Sequence, residues 1–318
     1  MNTKKKNGAV QSTAFSSSHQ KNMVKTNNYQ AVTQDKMDCL SDFKIALDKA
    51  GLHTKEKLIA DGEIHRIHIE GDRKGSKNGW YVIYDGYIQA GAFGSWKIDQ
   101  THTWCEKGIH ELTLAQRQQH TQRMRGAQQA REAKELKRRQ DAQNRSSAIW
   151  EAALMASLTH PYLVKKKVKN YGLRQHNGRL VIPMRDGAGV LCSLQFIDNG
   201  GNKRFLSGGR KKGCYFLIGD TGKSLLIAEG YATAATLREV TGQAVAVAFD
   251  AGNLKPVAQV LRGQFPNVKI TICADNDTKT EINIGVEKAR VAAVSIDAFL
   301  AIPSCAGDFN DLLTGALR

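Results

Sequence analysis

From residue 224 onward the chain alternates between two periodicities, and that alternation limits its fold more than any other feature. Short apolar runs (224 to 229, 243 to 249, 268 to 274) alternate with segments of helical character (231 to 240, 254 to 264, about 284 to 295), the first of them closed by Gly242. "FLAIP" supplies a fourth apolar run, and "DFNDLL" begins a last short helix. Strand and helix in strict succession predict a parallel sheet with helices on both faces, an α/β domain over residues 223–318.

Upstream the pattern changes. "GRLVIPMRD", "GVLCSLQFID", "KRFLSGG" and "GCYFLIG" read as strands separated by glycine turns, a mixed β-rich subdomain over 151–222. Residues 111 to 150 lack proline and consist mostly of good helix formers without a sustained a/d heptad, so 106–150 is read as a long polar, basic helical linker. In 38–105, "DCLSDFKIALDKAGL" is an amphipathic helix closed by Gly51, and "EIHRIHIEG", "GWYVIYDG" and "IQAGAFGSW" form a small antiparallel sheet, a compact α+β module. Its Trp80, Tyr81, Tyr84, Phe93 and Trp96 lie near Arg66, Arg73, Lys74, Lys77 and Lys97, a composition suited to stacking single-stranded nucleic acid, although alternate aromatics on a strand equally build a core. Residues 1–37, rich in Ser, Asn, Gln, Thr and Lys, are expected to be a disordered basic tail.

Charge and cysteine usage narrow the partners. Lys and Arg total 46 against 30 Asp and Glu, and a net charge of +16 suits a polyanion. Apolar runs stay short of a membrane span and the first residues, MNTKKKNGAV, carry no secretory signal, so a cytoplasmic protein without membrane contact is expected. Cys39, Cys105, Cys192, Cys214, Cys273 and Cys305 are scattered singly, which reads as reduced thiols with no zinc ribbon. Histidines 65, 68, 102, 110, 160 and 176 show no ligand spacing and are read as structural.

One stretch imitates a phosphate-binding loop. Gly222-Lys223-Ser224 ends like a P-loop, but that motif needs glycine at position 217, where Leu217 stands, and it opens a helix, whereas Leu225-Leu226-Ile227-Ala228 follows here. The GKS is therefore a turn feeding a buried strand.

Phosphate chemistry is indicated by acids instead. In open α/β sheets the chemistry collects at the carboxyl ends of the strands. The first strand ends in Glu229-Gly230, the third in Asp275-Asn276-Asp277, and Asp308 and Asp311 follow the fourth. Two aspartates one residue apart reach one hard cation, and a glutamate on the neighbouring strand end completes an oxygen-rich site or takes a proton from a hydroxyl, the arrangement of a magnesium site for phosphoryl transfer. "NKRFLSGGRKKG" sets Lys203, Arg204, Arg210, Lys211 and Lys212 just before that strand, placed for triphosphate or template backbone. Lys165 to Lys169, "VKKKVKN" with its neighbours, is a less specific backbone-contact candidate.

"LLIAEGYATAATL", "ITICADND" and "GDFNDLL" in that order resemble the Toprim domain of bacterial primases, topoisomerases and related nucleases. The preceding "GRLVIPMRD", "KRFLSGG" and "YFLIG" are similar to the segment upstream of Toprim in DnaG-type primases, and the arrangement as a whole resembles the primase-like proteins of plasmids, phages and integrative elements. The likeness covers about residues 40 to 105 and 146 to 315. It implies a Toprim fold behind a primase-type subdomain, with Glu229, Asp275 and Asp277 catalytic and binding Mg2+ or Mn2+. Asp308 matches the first Asp of a DPD-like motif whose second is Asn310 here, leaving Asp308 and Asp311 as the candidates to support a second cation. Arg185, Lys203 and Arg204 match nucleotide or template contacts. The implied activity is a primase that builds short RNA primers on single-stranded DNA from ribonucleoside triphosphates for mobile-element replication or conjugation. No zinc is expected, the 38–105 module substitutes in template contact, and a replicative helicase is expected to be either a separate partner or absent. A Toprim nuclease and a non-catalytic nucleic-acid-binding protein are the alternatives. The first is opposed by the primase-like segment 179 to 218, the second by the intact acids.

Overall fold

A computed structural model describes residues 40–85, 89–98, 100–106, 113–276 and 283–315. The expected basic tail and Asp277 lie outside the described residues. The chain divides into two compact units, Met1–Ala130 and Arg131–Arg318.

In the first unit a helix over residues 40–49 (α1) packs on a four-stranded antiparallel sheet of β1 (His65–Ile67), β2 (Gly79–Tyr84), β3 (Ala90–Ser95) and β4 (Gln100–Cys105), in that spatial order. The fourth strand, with only Trp104 and Cys105 as apolar anchors, has too weak a pattern to be read from sequence. Strand alternation splits the aromatic set. Tyr81 and Phe93 join Ile83, Phe43 and Leu47 in the core, and Phe43 meets Tyr81, Phe93 and Trp104 edge to face. Gly91 permits this, since a Cβ there would lie 2.7 Å from the Phe43 ring and 2.4 Å from the Val82 carbonyl oxygen. Trp80 pairs across the sheet with Arg66 and sits on the other face, where its ring lies 6.0 Å from that of Trp96. Tyr81 and Phe93 therefore drop out of the expected stacking surface: they are the core of the module.

Helix α2 (Leu114–Ala152) is polar, as expected, but its last turns are not a solvated spacer. In the second unit Ala142 and Ser146 are fully buried, Ile149 and Trp150 pack against Val181, Leu191 and Leu194, and Arg145 donates to the Ser207 carbonyl at 2.7 Å.

The second unit holds two five-stranded sheets. The antiparallel one runs β5 (Leu154–Met155), β6 (Arg174–His176), β7 (Arg179–Arg185), β8 (Leu191–Ile197), β9 (Lys203–Phe205), with α3 (Pro161–Lys166) in the β5–β6 connection. The other contains β10 (Phe216–Ile218), β11 (Ser224–Ala228), β12 (Ala244–Val247), β13 (Lys269–Cys273) and β14 (Phe299–Ala301), in the order β10-β12-β11-β13-β14. The last four are parallel. Only β10, the "FLI" of the upstream segment, pairs antiparallel, at the edge next to β12.

The connecting helices are α4 (Tyr231–Thr241), α5 (Leu254–Gln264) and α6 (Ile284–Val294), with α7 (Phe309–Thr314) after β14. Along β11, Leu225 and Ile227 face α5 and α6, while Leu226 and Ala228 face α4 and the antiparallel sheet. Every residue of α4 from Tyr231 to Leu237 is buried, because this part of the helix lies between two sheets, which explains its small-residue, Ala/Thr-rich sequence. It ends at Gly242, whose left-handed φ of 67° closes the helix as the sequence predicted.

Candidate active site

The parallel register sets Ala228 beside Cys273, so Glu229 follows β11 at the level where Ala274 and Asp275 follow β13. Asp308 is brought to the same edge by the next segment. Asn276 pairs with Gly307 and its side-chain amide donates to the carbonyls of Pro303 and Cys305, 3.1 Å each, which binds the end of β13 to the segment before α7. Asp308 caps α7 by accepting from the Asp311 amide at 2.9 Å. Behind the strand end, Gly285 lets α6 approach, since a Cβ there would lie 2.5 Å from the Asp275 carbonyl oxygen.

Glu229, Asp275 and Asp308 line one cleft of about 290 Å³. The same cleft is lined by Lys165 and Lys166 at the end of α3, by Lys203 at the start of β9, and by Tyr162 and Thr233. Lys203 extends to Gly230, its ammonium 3.4 Å from where a Cβ of that residue would stand, so glycine after the glutamate admits a cation to the strand end. Burial, then the Asp308 charge, push the Tyr162 hydroxyl well above its ordinary range, keeping it neutral. Burial and Asp275 likewise push the Cys273 thiol behind the strand end up to about 12.

The expected residues separate into groups. Asp311 turns to Lys166, 3.1 Å away, and is not among the residues lining the cleft. Asn310 is buried, donating to the Lys166 carbonyl at 2.8 Å and the Thr236 hydroxyl at 2.9 Å, a structural joint between α7, α3 and α4. Arg210 is held in a side network with Asp186 at 2.5 Å and the Cys192 sulfur at 3.0 Å, and Lys211 pairs with Asp250. Arg185 donates to the Gly189 carbonyl at 2.9 Å. Arg204 and Lys212 are exposed. Of the basic segment, Lys203 alone lines the cleft, while Lys165 and Lys166, the less specific candidates in the sequence, join it. Tyr162 was missed altogether, since a lone tyrosine in an apolar run carries no signal.

An oxygen-rich, acidic strand edge is the donor set a hard divalent cation takes, and in this respect the residues fit Mg2+. Among the described residues no three His, Cys, Asp or Glu side chains are already gathered closely enough to hold a metal.

The sheet order and the acids at its carboxyl edge define a Toprim domain, and the Toprim family model matches residues 224–318, which run from β11 past α7. Over most of its length the chain is similar to DNA primases. It is 34% identical over 254 residues to a DNA primase TraC of Escherichia coli, covering 75% of this chain, and 32% identical over 305 residues to a second DNA primase TraC of that organism, covering 88%. The chain spans 23% and 20% of the length of these relatives. Among solved structures, the DnaG primase catalytic domain bound to ssDNA aligns over 57% of this chain and 76% of its own, at 14% identity and a TM-score of 0.40. No helix among the described residues is long and apolar enough to cross a membrane.

Proposed function

We propose that the protein is a magnesium-dependent nucleotidyltransferase that makes short RNA primers on single-stranded DNA for a mobile element. The observation carrying this reading is that Glu229, Asp275 and Asp308 line the same cleft as Lys165, Lys166 and Lys203. Acids alone would suit a cation and lysines alone a phosphate; both in one cleft suit a metal-bound triphosphate.

Asp275, Asp277 and Asp308 are assigned to hold Mg2+ or Mn2+, which when bound would neutralise phosphate charge and lower the barrier to displacement. Glu229 takes the proton of the attacking 3'-hydroxyl. Lys203 and Lys165 orient the triphosphate and offset charge on the leaving pyrophosphate, and Lys166 keeps Asp311 in place. Lys203 beside the acids fits a polymerising enzyme better than a nuclease sharing them, since a nuclease has no incoming triphosphate to hold.

The division of labour follows the segments. Residues 223–318 carry the acids, 151–222 the triphosphate lysines, 38–105 a template platform of Trp80, Trp96 and Arg66, 106–150 the helix, and 1–37 a basic tail. A separate helicase would expose the template, in the cytoplasm.

The test is to incubate the full chain with single-stranded DNA, labelled ribonucleotides and Mg2+ or Mn2+. Short RNA products that vanish in Asp275→Ala support the reading. Degradation of the DNA instead would make the protein a nuclease, and retention of DNA without either product a binding protein.

A further inference from the structure

Beside the acidic cleft stands an aromatic pair that no step above uses. Phe249 follows β12, and its amide donates to the Glu229 carbonyl at 2.8 Å. Its backbone is left-handed, φ 75°, although it is neither glycine nor asparagine. A bulky side chain adopts that region only where its surroundings over-determine it, and such residues cluster at functional sites. The Phe249 ring is buried, and it meets Phe205 edge to face, with centroids 6.4 Å apart and planes at 79°.

Phe205 is the counterpart on the antiparallel sheet. It lies two residues from Lys203 on edge strand β9, so both side chains leave the same face, and Lys203 lines the cleft. Despite the contact with Phe249 it remains 40% exposed. The Lys211 ammonium lies 5.0 Å from its centroid and is itself tied to Asp250. An exposed phenylalanine is unremarkable by itself. A ring held against a strained, buried aromatic, with an anchored lysine over it and set next to a phosphate-type cleft, presents a preorganised apolar plane.

We propose that Phe205 is a stacking platform for a nucleobase whose phosphates are handled in the adjacent cleft, with Phe249 as its positioning residue. Resting on the functional reading above, this assigns a base subsite to a cleft otherwise read only for metal and phosphate. The base comes either from the incoming nucleotide or from the single strand.

Affinities of the full chain, Phe205→Ala and Phe205→Tyr are measured for ATP, for oligothymidylate and for inorganic triphosphate, with thermal melting as the control for folding. Stacking predicts that Phe205→Ala loses on the order of ten-fold affinity for one base-bearing probe. Tyrosine restores it, and inorganic triphosphate binds all three proteins alike. Loss confined to ATP places the nucleotide base on Phe205, and loss confined to oligothymidylate places the strand there. Equal affinity of wild type and Phe205→Ala for both base-bearing probes overturns the platform, as does an equal loss for inorganic triphosphate or a wild type that binds neither base. Primer synthesis by the wild type, run in parallel, judges the activity separately: its absence removes the primase reading, while a base-specific loss in Phe205→Ala would still establish the platform.

Discussion

Asn276 and Gly307 exchange a pair of backbone hydrogen bonds, 2.9 Å in each direction, and so join the strand end that carries Asp275 to the segment that carries Asp308. The Asn276 side chain strengthens the joint through the carbonyls of Pro303 and Cys305, and it accepts from Asn283 at 2.8 Å. The middle residue of the Asp-Asn-Asp run is thus the clamp that sets two acids against each other. Asn276→Ala leaves those carbonyls without their donor at a cost of about 1–3 kcal/mol. The expected outcome is a lower melting temperature and a higher Mg2+ concentration for half-maximal primer synthesis. A metal titration superimposable on that of the wild type would show that the clamp does not tune the site.

Asn310 stands where the DPD-like motif has its second acid, and its position explains the exchange. Its amide nitrogen donates to two acceptors, the Lys166 carbonyl and the Thr236 hydroxyl. A carboxylate there would face the carbonyl with another acceptor. Asn310→Asp is expected to destabilise the protein by about 1–3 kcal/mol rather than to add a metal ligand, as read by denaturant unfolding. An unchanged midpoint with tighter Mg2+ binding would reverse this view of the site.

Asp186 supplies a pH dependence. Burial opposes its ionisation, but the Val190 amide and the Arg210 guanidinium outweigh it and hold its carboxyl below the ordinary carboxylate value. A group depressed in the folded state stabilises above its unfolded pKa, and the gain disappears as pH falls through the folded pKa. The melting-temperature advantage of wild type over Asp186→Asn should therefore be level near neutrality and shrink below about pH 4, where the unfolded carboxyl begins to protonate. An advantage that grows towards acid pH would contradict the assignment.

The two faces of the first sheet predict opposite phenotypes for neighbouring aromatics. Trp96 is 50% exposed, with the Arg66 guanidinium 4.7 Å from its ring, whereas Tyr81 is buried and its hydroxyl accepts from the Ile59 amide at 2.9 Å. Trp96→Ala should keep the melting temperature and lose about 1–3 kcal/mol of affinity for single-stranded DNA. Tyr81→Ala should lose about 3–5 kcal/mol of stability as a core truncation. Fluorescence anisotropy with labelled oligonucleotide, alongside melting curves, separates the two, and unchanged DNA affinity in Trp96→Ala removes the platform role of this module.

The Toprim segment was legible because its signals are local and redundant. Buried parallel strands are continuous apolar runs, Gly242 marks a helix end, and the acids fall at strand termini where a parallel sheet always collects its chemistry. In the first unit the same reasoning found three strands and missed β4, whose Gln-Thr-His-Thr sequence follows no clean apolar alternation.

What sequence alone determined was the class of the domain, the strand-end position of Glu229 and Asp275, and the presence of lysines able to meet phosphate. Tertiary structure decided which lysines stand beside the acids. Lys203 and Lys165 line the acidic cleft, while Arg210 and Lys211 are drawn into ion pairs with Asp186 and Asp250. The same holds for the aromatics: alternation along one strand sends Tyr81 inward and Trp80 outward, and only the packing of α1 fixes which face is the core. Neither choice is written in local pattern, because a charge or a ring is equally competent in either place. The neighbour it meets, often tens of residues away in sequence, settles whether it serves as support or as site.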